Sequence, residues 1–166
     1  MTHGRDETAE LMGRLARQMS VYVSAGRLPA AGPAPDEPRP LVSAVAVEVY
    51  ALARRLHEED WQRYGSDPVP VEQVEASLVP WDAPDAAGLM GELASVSLLW
   101  PSYAYMDRGE ADAVARRVVT ALGPDACWWS NRDDFGVSGV TGATMDTLVT
   151  GSDGDRFVLL IHVEDD

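Results

Sequence analysis

The sequence predicts an α+β fold in which a helical N-terminal two-thirds packs on a small C-terminal antiparallel β-meander. Three observations carry that expectation. Apolar residues recur at helical spacing through most of residues 6–122. After Pro124 the pattern gives way to short apolar and β-branched runs. Two of those runs flank Gly151-Ser152-Asp153-Gly154-Asp155, which has the composition of a hairpin turn. With 166 residues, 46% of them hydrophobic, the chain can bury one sizeable core.

Residues 6–25 read as an amphipathic helix, with Leu11, Leu15, Met19, Tyr22 and Val23 on its stripe and Gly26 as its stop. Five prolines between Pro29 and Pro40 then predict an extended, polyproline-like stretch. It makes the first helix either a tethered arm or an element returning to the same core. The division is an N-terminal helix at 1–26, a proline-rich linker or loop at 27–40, and one α+β domain at 41–166. In that domain helices occupy 43–123 and the sheet 126–163.

Residues 43–63 read as the longest helix, through Val45, Val49, Leu52 and Leu56, with Ser43 as a possible N-cap. The alternation of Val45, Val47 and Val49 offers a strand over 42–50 instead. Continuation to Trp61 without a turn residue favours the helix. A short helix is expected at 71–78 and another at 86–99, opened by Asp85 and stopped by Pro101. Asp107 and Glu110 have capping-box spacing, and Gly123-Pro124 closes the helix they open. Strands are expected at 126–130, 144–150 and 156–163, forming a meander that needs cover on one face.

The motifs for chemistry fail on spacing. His57 lacks a second histidine four residues on, where Trp61 stands, so a zinc helix is not formed. His162 shares a strand face with Val158 and Leu160 and reads as a partly buried, hydrogen-bonded side chain. Gly136, Gly139 and Gly142 do not match a dinucleotide fingerprint, and a chain without lysine has no P-loop. Registered from Asp146, a calcium loop would need oxygen ligands where Leu148 and Phe157 stand. Cys127, the only cysteine, reads as a small buried hydrophobe. No catalytic residue, metal or cofactor is implied.

The charge is informative. The chain carries 27 acids and 13 basic residues, all arginine, for a net charge of −14. Residues 118–166 hold nine acids against two arginines, a net of −7. Such a surface repels nucleic acid and anionic membrane and accelerates encounter with a basic protein. Plain solubility explains the same charge. Residues 1–10 lack the apolar core of a signal peptide, and one cysteine cannot form an intrachain disulfide, so the expected location is cytoplasmic.

Partner contacts are expected at Trp128, Trp129, Asn131, Asp133, Asp134, Asp153 and Asp155. Adjacent strand residues point to opposite faces, so one tryptophan is either an exposed anchor or covered by a second layer. The acids lie in a loop and a turn, where solvent reaches them, and Glu164, Asp165 and Asp166 extend the charge at the terminus.

Trp129-Ser130-Asn131, Thr141-Gly142-Ala143-Thr144-Met145-Asp146-Thr147 and Val163-Glu164-Asp165-Asp166 resemble the tail of small acidic bacterial proteins. Some of these are immunity proteins of polymorphic-toxin systems. The resemblance covers residues 126–166 and implies a non-enzymatic inhibitor that works by occluding its partner. A homo-oligomeric accessory or regulatory protein is the alternative, and an enzyme whose pocket assembles from distant residues is a third.

Overall fold

The computed structural model describes residues 3–29, 40–61, 67–143 and 145–164. Helix α1 (His3–Leu15) buries Leu11, Met12 and Leu15. The helical pattern ends there, because Val21–Arg27 is strand β1. Helix α2 (Leu41–Leu56) follows, extended by a π-helical turn at His57–Trp61. Then come α3 (Val71–Ser77), strand β2 (Val79–Trp81), α4 (Ala83–Ser95) and α5 (Arg108–Leu122). The C-terminal strands are β3 (Cys127–Ser130), β4 (Arg132–Asp133), β5 (Gly136–Val137), β6 (Met145–Ser152) and β7 (Arg156–Glu164).

Five strands form one antiparallel sheet in the order β1-β7-β6-β3-β2, and β4 and β5 form a separate small hairpin. The expected meander is present as β3-β6-β7. The sheet is wider because β1 pairs along β7, from Val21 opposite His162 to Arg27 opposite Arg156, and β2 pairs with β3.

Alternation along the strands builds two cores. Trp128, Val149, Val158 and Leu160 pack on one face with α1, α4 and α5. Trp129, Leu148, Phe157, Leu159, Ile161 and Val163 pack on the other with α2 and α3. Each of these side chains is under a tenth exposed, so each contributes about 2 kcal/mol of burial.

The expected architecture is therefore corrected. Helices do not fill an N-terminal two-thirds; they alternate with strands, and they cover both faces of the sheet. The predicted helix over 6–25 breaks after α1, because Val21-Tyr22-Val23 are strand-forming residues and β7 supplies a partner ladder. Gly26 sits in β1 opposite Phe157 rather than ending a helix. Residues 43–56 are helical, as favoured, but α2 opens at Leu41 after Pro40 with no side-chain cap, so Ser43 does not cap it. Asp82, not Asp85, caps α4 by accepting the Asp85 N–H at 2.8 Å. Asp107 caps α5 as expected, accepting the Glu110 N–H at 2.9 Å, and Gly123 ends that helix at φ 105°. Most of the proline-rich stretch, residues 30–39, lies outside the described residues.

Candidate functional site

The residues expected to meet a partner separate into two groups. Trp128 and Trp129 are 2% and 8% exposed, because both sheet faces are covered, so neither is a surface anchor. Asn131 is also buried. Asp133, Asp134 and Asp155 are exposed, and Asp153 is partly so. Two of these acids are occupied locally. Asp133 Oδ1 accepts the N–H groups of Phe135 and Gly136 at 2.7 and 3.0 Å. Asp153 accepts the N–H groups of Asp155 and Arg156 and binds Arg156 Nε at 3.1 Å. Partial burial opposes ionisation of Asp153, but these bonds outweigh it and hold its carboxyl below the usual range. Cys127, expected to be buried, is exposed at the start of β3.

Asn131 and Asp146 clamp the segment between β3 and β6. The Asp146 carboxylate is 2% exposed and accepts the N–H groups of Val140 and Thr141, the Thr141 hydroxyl and Asn131 Nδ2. Asn131 Nδ2 also donates to the Ser138 carbonyl, and its Oδ1 accepts the Leu148 N–H. A buried carboxylate with this many donors is satisfied, and removing it orphans them. Asp146→Ala is expected to lower stability by about 2–4 kcal/mol and to speed amide exchange across residues 131–143. Urea melts and hydrogen exchange read these effects; unchanged exchange in that segment would remove Asp146 as its organiser.

A second buried polar cluster lies on the opposite sheet face, at the end of β7. Glu164, expected among the exposed terminal acids, is 8% exposed and sits at the centre of this cluster. It accepts from the Ser97 hydroxyl at 2.8 Å, the Tyr105 hydroxyl at 2.9 Å and the Leu99 N–H at 2.9 Å. His162 Nε2 lies 3.0 Å from the same carboxylate, which favours the Nε2–H tautomer. Nδ1 is then a buried acceptor with no hydrogen-bond partner among the described residues. The Leu93 carbonyl near the ring favours its charged form without hydrogen-bonding geometry to Nδ1.

Burial holds the His162 pKa below its ordinary value despite the attraction of Glu164. Burial opposes ionisation of Glu164 too, but its donors win and its pKa is lowered. Tyr105 is raised, by burial first and then by its bonding to Glu164 and that carboxylate's charge. The Ser97 hydroxyl and His162 Nε2 are both directed to the Glu164 carboxylate. The cluster therefore ties the 96–105 segment to the sheet. Alternation put His162 on a face with Val158 and Leu160, but the strand was expected to end at residue 163 and Glu164 to be exposed; β7 runs on to Glu164 and places it on the same face. Nothing in the spacing pointed to Ser97 or Tyr105, which arrive from more than fifty residues away.

Asp146 and His162 lie on opposite faces of the sheet, so they line no common pocket. Among the described residues no group of three or more His, Cys, Asp or Glu side chains is arranged to hold a metal ion. No helix among them is long and apolar enough to cross a membrane. Comparison with protein-family models, with curated proteins and with solved structures returns no match for this chain.

Proposed function

We propose that this protein is a non-enzymatic binding module that occludes a basic partner protein, as an immunity-type inhibitor does. The observation that carries this reading is the local use of the positive charge. Arg17, Arg54, Arg108, Arg117, Arg132 and Arg156 each pair with an acid of this chain. With 27 acids against 13 arginines, such pairing leaves a large acidic excess for solvent and partners. Asp134 and Asp155 are exposed members of that excess. The resemblance of residues 126–166 to immunity proteins supports the same reading.

The test is capture with the full chain, followed by association kinetics on the captured protein. The partner is expected to be basic, and its on-rate to fall steeply as salt rises. Neutralising Asp134 and Asp155, with Asp125, which is exposed between α5 and β3, together to Asn is expected to slow association about threefold or more at low salt, since rim charges act on encounter. Asp133 and Asp153 are left intact because they hold turns. A captured protein that is not basic, or a rate indifferent to salt and to neutralisation, rejects the reading.

A further inference from the structure

Buried acids apart, the surface has one more uneven property: where its large apolar side chains are exposed. Among the described residues these are Met19, Trp100, Tyr103, Phe135, Val137 and Met145. Topology brings all six to one end of the sheet, where β7 finishes. Met145 is paired with Glu164 at that end. Met19 precedes Ser20, whose carbonyl accepts the Val163 N–H at 2.9 Å. Trp100 and Tyr103 lie on the segment that Glu164 holds through Ser97, Leu99 and Tyr105. Phe135 and Val137 lie on the β4–β5 hairpin, which Asn131 ties to Asp146, the neighbour of Met145. The opposite end, at the 152–156 turn, carries none of them.

Phe135 is the extreme case, at 98% exposed, and Trp100 is 70% exposed. Neither sits on a loose strand of chain. The hairpin is fixed by the Trp81 indole N–H to the Arg132 carbonyl at 2.9 Å and by Arg132 to Glu92 at 2.7 Å. Asp133 closes its turn, and Gly136, at φ +146°, allows it. An aromatic carried on a fixed backbone is presented to a pocket without the cost of ordering the chain that bears it.

Charge selects the occupant. Three arginines near this end are paired with acids of this chain: Arg17 with Glu110, Arg108 with Asp112 and Arg132 with Glu92. Asp133 and Asp134 stand exposed directly before Phe135. A second copy would set these acids against their own kind in a two-fold contact, between chains of net charge −14. An anionic lipid surface is repelled for the same reason.

We infer that this apolar end is the docking surface, and that Phe135 and Trp100 are the anchors entering an apolar depression rimmed by Lys or Arg on a partner protein. The inference rests on the reading above that the partner is basic, and adds where it binds and by which side chains.

The probe is a displayed library of short random peptides selected on the full chain. Peptides with Lys or Arg flanking an aliphatic or aromatic residue are expected to be enriched. On a Phe135→Ser, Trp100→Ser double variant that melts like the parent, their binding is expected to fall about tenfold or more. Basic peptides held equally by parent and variant would sink this surface while leaving the basic-partner reading intact. Enrichment of acidic sequences, or none, would sink both. A dimer by sedimentation that the double variant dissolves, or binding to phosphatidylcholine vesicles that it abolishes, would assign the surface to a second copy or to a membrane and overturn the inference.

Discussion

Replacing Glu164 by Ala is expected to lower stability by about 3 kcal/mol, roughly 10 °C in melting temperature for a chain of this size. The carboxylate satisfies Ser97, Leu99, Tyr105 and His162 at once. Its removal leaves the Ser97 hydroxyl and the imidazole N–H without their acceptor in a dry site, where each orphan costs about 1–3 kcal/mol. Glu164→Gln keeps one acceptor oxygen and is expected to lose about half as much.

The pH dependence has a definite sign. The folded His162 pKa is lowered from its ordinary 6.5, so its contribution is full above 6.5 and declines as pH falls. The folded Glu164 pKa is lowered from 4.5, so its contribution is present above 4.5 and is lost at still lower pH. Stability therefore declines in two stages as pH falls, first below 6.5 and again below 4.5. Loss of Glu164 removes the charge that raises the His162 pKa, so the alanine variant is expected to be more acid-sensitive in the upper stage. His162→Asn is expected to abolish that stage. Denaturant melts across this range decide it; a flat profile between pH 7 and about 5 would contradict the assignment.

The second large effect is expected at Gly151. It stands opposite Trp128 in the β3–β6 ladder. A methyl group built there would lie 2.5 Å from Trp128 Cε3 and 2.6 Å from Cδ2 and Cζ3. The indole is 2% exposed and packed among Val149, Val158, Leu160 and the helices above them, so it cannot swing away. Gly151→Ala is expected to destabilise by about 1–3 kcal/mol through overpacking. Trp128→Leu opens a cavity and is expected to lose about 3 kcal/mol. In the leucine background the same alanine has room, so it is expected to be nearly neutral. The two changes should then couple by more than about 1 kcal/mol in urea melts. Simple additivity would show that the ring moves freely and that glycine is not required.

Two features of the sequence were decisive where local physics is strong. The caps and stops of α5, from Asp107 to Gly123, were legible because capping and left-handed glycine are properties of a few adjacent residues. The hairpin joining β6 and β7 was legible for the same reason. The run from Phe157 to Val163 held a further signal, since it is apolar on both strand faces apart from His162. A strand with only one covered face alternates, so this run carried a signal for cover on both faces that the expectation of one covered face passed over.

Other features depended on partners far along the chain. Val21–Arg27 carries both helical spacing and strand-forming residues, and only the ladder offered by β7 decides between them. Residues 79–81 are too few, and contain Pro80, to announce a strand, yet β3 accepts them at the sheet edge. The fate of the acids was equally non-local. By itself the sequence determined an acidic chain with lysine absent, one cysteine and no complete catalytic or metal motif. Tertiary structure alone decided that Glu164 and Asp146 are buried organisers, that Trp128 and Trp129 are core, and that Phe135, Trp100 and Tyr103 are aromatics left in water. The reason is physical: charge and hydropathy are properties of residues, whereas burial is set by which distant segments close over them.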